Sequence, residues 1–67
     1  MLETAQRFQG LEKALARLPP EHREILLLRE IEEMSYEDIA AVLNLNTGTV
    51  KSRIARARAG LLEKMPH

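Results

Sequence analysis

The absence of cysteine from a chain of only 67 residues constrains the fold more than any other feature. A chain this short buries only about 60% of the surface that its unfolded form exposes, so its core is small. Without cysteine, neither disulfide bonds nor thiolate metal sites can stabilise it. Stability must come from apolar helix faces packed on one another, and we expect a single domain over residues 1–67.

The spacing of apolar residues predicts four helices separated by short breaks. We expect them at about residues 3–18, 20–31, 35–44 and 47–65. Pro19 ends the first helix and Pro20 suits the first turn of the second. The predicted fold class is therefore all-α, a compact bundle of four helices with a C-terminal helix-turn-helix and no winged elements.

Two polar residue types mark the starts of the last two helices. Ser35 is a good N-cap, with Asp38 at the capping-box position. Asn46 or Thr47 can cap the fourth helix, and Leu45 in the turn is expected to insert into the core.

Each helix has a predicted inner face. On the first helix it comprises Phe8, Leu11, Leu15 and Leu18. On the second it comprises Ile25, Leu28 and either Leu27 or Ile31, while Leu26 indicates burial on more than one side. On the fourth it comprises Val50, Ile54, Ala57 and Leu61.

The formal net charge of zero hides a strong asymmetry along the chain. Residues 1–46 carry five basic and nine acidic side chains, a net charge of −4. Residues 47–64 carry five basic and one acidic side chain, a net charge of +4. A basic helix that follows a short turn is typical of a helix-turn-helix that binds DNA.

The outer face of the fourth helix has the composition that a major-groove helix needs. Ser52, Ala55 and Ala59 form a slim strip that permits close approach to base edges. Lys51 and Arg58 flank this strip on one side, and Arg53 and Arg56 flank it on the other. The alternative is an ordinary solvated face, but such a face usually mixes charges of both signs.

Several segments resemble, in order and spacing, region four of extracytoplasmic-function (ECF) sigma factors of bacterial RNA polymerase. They are Leu18-Pro19, Arg23 to Glu30, Ser35 to Ala40, Gly48 to Arg53 and Arg56-Ala57-Arg58. The run G-T-V-K-S-R followed by R-A-R is the most specific of them. Two departures are Asn46, where the family usually has proline, and Ala55, where the side chain is often bulkier.

The resemblance implies a helix-turn-helix whose last helix enters the major groove of the promoter −35 element. By position, Lys51, Ser52, Ala55 and Arg56 match the groove-facing residues of the family, and Thr49 and Arg53 match backbone or supporting contacts. Tyr36 begins the helix that crosses the DNA backbone.

The implied partners are double-stranded promoter DNA, the β-subunit flap of RNA polymerase and an anti-sigma protein, with the domain acting as a monomer. Candidates for an exposed apolar patch that holds the flap are Phe8, Leu11, Leu26 and Leu27.

Two other functions stay open. One is a sigma-mimicking domain that sequesters an anti-sigma protein, and the other is the helix-turn-helix of a response regulator.

An enzyme, a metal site, a cofactor and a membrane span are not expected, because no catalytic constellation, ligand cluster or long apolar run occurs. His22 and His67 are far apart in the sequence. We expect a cytoplasmic protein.

Overall fold

Helices follow one another along the whole described part of the chain. The computed structural model describes residues 10–65, and the predictions for Phe8, His67 and residues 3–9 lie outside that range. Helix α1 covers residues 10–16, and α2 covers Pro20–Leu26 and continues into a π-helical turn at Leu27–Ile31. Helices α3 and α4 cover Tyr36–Leu43 and Thr47–Lys64. Residues 10–65 contain no strand, and the all-α prediction is confirmed.

The prolines divide α1 from α2 as predicted. The last turn after α1 is tight, since the Leu18 amide donates to the Leu15 carbonyl three residues earlier at 3.1 Å. Pro19 is the extended N-cap of α2, and Pro20 occupies its first turn. Pro20 fits there because the first turn of a helix leaves its N–H groups without intrahelical partners.

The π turn has no counterpart in the sequence prediction. The Glu32 amide donates to the Leu27 carbonyl five residues earlier at 3.1 Å, and the Met34 amide donates to the Leu28 carbonyl at 3.1 Å. Glu33 then takes a left-handed conformation with φ of 56° and ends the helix. Such a position favours glycine, because a side chain is strained at positive φ.

The expectation that either Leu27 or Ile31 faces inward is wrong. Leu27 is 41% exposed and Ile31 is 68% exposed. Both Ile25 and Leu26 are buried, so the inner face is centred between them, and at about 100° per residue Leu27 and Ile31 fall on the outer side. Leu26 is buried next to Ile25 on a single inner face, so the expectation that α2 is buried on more than one side is wrong.

The turn between α3 and α4 forms as its residues predict. Ser35 Oγ accepts the Asp38 amide at 3.0 Å and caps α3. Asn44 ends α3 in a left-handed conformation, with φ of 56°, and the Leu45 amide then donates to the Ala40 carbonyl at 2.8 Å. This is the bond pattern of a Schellman motif. Leu45 is half-buried against the core, as expected.

The core lies where α4 packs against α2 and α3. Its largest fully buried side chains are Ile25, Ile39, Val50 and Ile54. Ala14 of α1 is also fully buried, a position that the predicted face of α1 did not include. Gly60 keeps α4 close to the end of α1, since a Cβ atom there would lie 3.2 Å from Leu18 Cδ2.

Candidate nucleic-acid interface

Helices α3 and α4 form a helix-turn-helix with a three-residue turn at residues 44–46. The inner face of α4 is fixed by Val50, Ile54 and Ala57, all of which are buried. These three residues are the fully buried part of the predicted inner face, and Leu61 is half-buried next to them. Because the inner face is held by the core, the side chains opposite to it must point away from the protein.

As far as Ala59, the outer face of α4, opposite the core, consists of small and cationic side chains. Ser52, Ala55 and Ala59 are exposed, and so are Lys51 and Arg56. The Ser52 hydroxyl donates to the Thr49 carbonyl at 3.1 Å, which turns it back onto the helix and keeps the strip slim. The structure thus places the four residues predicted to face the groove, Lys51, Ser52, Ala55 and Arg56, on exposed positions of one helix. Thr49 and Arg53, predicted as supporting contacts, are half-buried.

The start of α4 is exposed and well capped. Asn46 Oδ1 accepts the Thr49 amide at 2.7 Å, so Asn46 rather than Thr47 is the cap. The remaining N–H groups of a first helical turn point along the axis and carry partial positive charge. Thr47 and Gly48, the first two residues of α4, are small and exposed, so this end of the helix is open to an anion such as phosphate.

Tyr36 links the start of α3 to α4 and to the π turn. The Arg29 guanidinium lies 4.6 Å from the centroid of the Tyr36 ring, and Lys51 Nζ lies 5.9 Å from it. Arg29 also donates to the Met34 carbonyl at 2.7 Å. The ring therefore lies within cation–π distance of two cations, one of which belongs to the predicted groove face.

Sequence reasoning missed Arg29. Its two contacts join it to Met34 and Tyr36 across the end of the π turn. These contacts of Arg29 form where the left-handed residue Glu33 ends the helix, and helical periodicity does not predict such a chain reversal.

Arg58 occupies a different environment from the other cations of α4. Its Nε donates to Glu30 Oε1 at 3.1 Å, and its terminal Nη2 bonds to the same oxygen. This hydrogen bond with Glu30 raises the pKa of Arg58. The pair joins α4 to the π turn, and both side chains are about half exposed. The guanidinium is thus already engaged within the protein.

An apolar groove of about 210 Å³ lies beside this ion pair. Its aliphatic walls come from α1, α2, the π turn and α4, and Glu30 and Arg58 line it as well. The aliphatic residues are Leu11, Leu15, Leu26, Leu27, Ile31 and Leu61. Two of the four candidates for an exposed apolar patch, Leu11 and Leu27, therefore line this groove with accessible side chains. Leu26 also lines it but is only 3% exposed, so the expectation that it belongs to an exposed patch is wrong.

Residues 10–65 contain no group of three or more His, Asp or Glu side chains placed to hold a metal ion. Within the same residues, no helix combines the length and the apolar character needed to cross a membrane.

The family follows from comparison of the sequence with known proteins. Residues 8–61 match the family model described as "Sigma-70, region 4". The chain belongs to the sigma-70 region 4 family. This match covers α1 to α3 and α4 as far as Leu61, and the resemblance to ECF sigma factors is confirmed.

Relatives of this region 4 domain include three curated sigma factors. An ECF RNA polymerase sigma factor, SigE, of Mycolicibacterium smegmatis is 51% identical over 51 residues, which are 76% of this chain and 20% of that protein. The RNA polymerase sigma-H factor of Pseudomonas aeruginosa is 49% identical over 49 residues, 73% of this chain and 25% of that protein. The ECF RNA polymerase sigma-E factor of Escherichia coli is 42% identical over 53 residues, 79% of this chain and 28% of that protein. The chain thus spans about a quarter of the length of these relatives.

Proposed function

We propose that this region 4 domain binds the −35 element of promoter DNA as part of a sigma factor and so directs RNA polymerase to the start of transcription. The observation that carries the proposal is the outer face of α4, where Lys51, Ser52, Ala55 and Arg56 are all exposed. No acidic residue precedes Glu63 in this helix. Membership of the sigma-70 region 4 family supports the same function.

The small side chains determine how deeply α4 enters the groove. Ser52 and Ala55 add little width to the outer face, so the helix backbone comes close to the base edges. Lys51 and Arg56 extend from this strip and provide the donors that guanine O6 and N7 accept. In this proposal Arg56 reads a base directly, because its guanidinium can bond two acceptors at once.

Phosphate contacts fix the position of the helix on the duplex. We assign them to the open first turn of α4, to Thr49 and Arg53, and to Tyr36 at the start of α3. Arg58 was predicted on the flank of the same strip and can join them only by leaving Glu30. Only cations displace counterions from phosphates, so Arg53 together with Lys51 and Arg56 of the groove face is expected to give a slope of log affinity against log salt concentration near −3, at about −0.9 per phosphate neutralised.

RNA polymerase is the proposed protein partner, since the relatives are named RNA polymerase sigma factors. The apolar groove between α1, α2, the π turn and α4 is the proposed contact surface for the β-subunit flap. An anti-sigma protein that covers the same groove would compete with the polymerase. We propose that the domain acts as a monomer inside the cell, and that it performs no catalysis of its own.

Selection from a random duplex DNA pool at about 50 mM salt tests the proposal, because electrostatic binding is strong there. A Lys51→Ala/Arg56→Ala double variant runs in parallel, and its circular dichroism spectrum checks that it is folded. We expect the unchanged protein to enrich a short motif that the variant does not enrich.

The other outcomes point to other functions. Binding without an enriched motif would make α4 a backbone contact only. Enrichment of a two-fold repeated motif by a dimer would favour a response-regulator type of helix-turn-helix. Absence of binding would favour a decoy for an anti-sigma protein.

A further inference from the structure

The Glu30–Arg58 pair sets one cation of α4 apart from the others. It is the only salt bridge within residues 10–65, so Lys51, Arg53 and Arg56 have no carboxylate partner in this part of the chain. The pair joins residues 28 positions apart, and two nitrogens of the guanidinium bond the same carboxylate oxygen. The two N–H groups that bond Glu30 are then not free to donate hydrogen bonds to a phosphate oxygen.

We propose that Glu30 competes with DNA phosphate for Arg58 and thereby lowers the affinity of the domain for DNA of any sequence. This inference rests on the proposed DNA-binding function and adds a regulator of affinity to it. Glu30 is a positioning residue in this scheme, since it acts on DNA only through Arg58. Its carboxylate offsets the positive charge of the guanidinium and repels a phosphate, so Arg58 neutralises a phosphate fully only when the pair opens.

The position of Arg58 on α4 makes the competition possible. Lys51 and Arg58 lie seven residues apart, close to two helical turns, so they lie on the same side of α4 about 10 Å from one another. A helix seated in the major groove runs between two phosphate backbones. A cation on the flank of the groove face is therefore within reach of a backbone once it is free of Glu30.

The solvent exposure of the Glu30–Arg58 pair determines how much Glu30 changes the affinity for DNA. The Arg58 and Glu30 side chains are 49% and 50% exposed, so water and salt screen the attraction between them. Exposed ion pairs of this kind change an equilibrium by about one and a half to five fold. Glu30 is therefore expected to tune affinity for DNA rather than to switch it off.

Removal of the carboxylate tests the proposal. Glu30→Gln is expected to raise affinity for a duplex of random sequence about two to five fold at 50 mM salt. The salt slope should become steeper by about 0.9, because one more phosphate is contacted. Fluorescence anisotropy of a labelled duplex, titrated at several salt concentrations, measures both quantities.

Two further variants separate this effect from the loss of one negative charge. A second, polar depression is lined by Arg29, Glu30, Glu33 and Arg58. Glu33→Gln removes a carboxylate from it without touching the ion pair. It is expected to leave the salt slope unchanged. In the Glu30→Gln/Arg58→Gln double variant the slope should return to that of the unchanged protein, whereas Arg58→Gln alone should change it little.

The outcomes distinguish this inference from the proposed function. If Arg58→Gln flattens the slope equally with and without Glu30, Arg58 contacts DNA independently of the pair and the inference is overturned. An unchanged slope in Glu30→Gln would overturn it as well. If the unchanged protein and all variants fail to bind any duplex, the proposed function itself fails.

Discussion

Helix α4 and the π turn differ in whether their apolar side chains are buried and in whether their charged groups are paired. In α4, Val50 and Ile54 are buried, while Lys51 and Arg56 point away from the protein without a carboxylate partner in residues 10–65. In the π turn, Leu27 and Ile31 are exposed. The charged groups of that turn are engaged, Arg29 with Met34 and Tyr36, and Glu30 with Arg58.

This difference indicates what each surface can bind. Free cations beside small side chains suit a polyanion, because counterions are released from DNA when its phosphates are neutralised. Exposed aliphatic side chains whose charged neighbours are already paired suit an apolar surface of a protein. The comparison thus supports the two proposals made above, DNA binding by the outer face of α4 and protein binding by the groove next to the π turn.

The largest expected difference between the two regions is in stability, when one isoleucine from each is replaced by alanine. Ile54→Ala should lower the free energy of unfolding by about 2–5 kcal/mol, since it leaves a cavity in the core. Ile31→Ala should change it by less than about 0.5 kcal/mol, because Ile31 is 68% exposed. Urea denaturation followed by circular dichroism measures both values. Equal losses would contradict the separation of the two regions.

An intermediate effect contrasts two arginines of α4. Arg56→Ala should weaken binding to a selected −35 motif by about 1–3 kcal/mol and leave binding to random DNA less affected, because a base contact is lost. Arg58→Ala should change binding to both DNAs only slightly, since Glu30 already holds the guanidinium. Anisotropy titrations with the two duplexes provide the measurement. A loss from Arg56→Ala that is the same for both duplexes would exclude base reading by this residue.

The smallest expected effect concerns the two left-handed residues that end helices. Glu33→Gly should raise the free energy of unfolding by about 0.5 kcal/mol, because relief of strain at positive φ exceeds the added entropy of the unfolded chain. Asn44→Gly is the matched control, with the same φ of 56°. It should change stability by only a few tenths of a kcal/mol, since asparagine tolerates this conformation. Thermal denaturation of both variants checks the difference, and destabilisation by Glu33→Gly would contradict the strain argument.

Local signals predicted the α3–α4 half of the molecule closely. The cap at Ser35 and the buried Val50, Ile54 and Ala57 are confirmed, and of the two predicted caps of α4 the structure selects Asn46. Each of them depends on residues a few positions apart, so the sequence contains the necessary information. The DNA-contact roles of the α4 side chains stay predictions, to be decided by the binding experiments.

The conformation and the contacts of α2 and the π turn could not be predicted from local signals in the same way. A helical pattern cannot show that the turn after Leu26 widens, and the inner face chosen for α2 wrongly included either Leu27 or Ile31. The contacts of Arg29 and the Glu30–Arg58 pair also join residues from different elements. Those contacts depend on how the helices pack.

The sequence by itself determined the helices on either side of the turn, their caps, the family and the basic face of α4, since these follow from periodicity, capping chemistry and charge order. Only the tertiary structure decided which cations are free and which apolar side chains form the groove. The reason is physical. A side chain 28 residues away in the sequence becomes a neighbour only after the core has brought α4 against the π turn, and local patterns do not encode that contact.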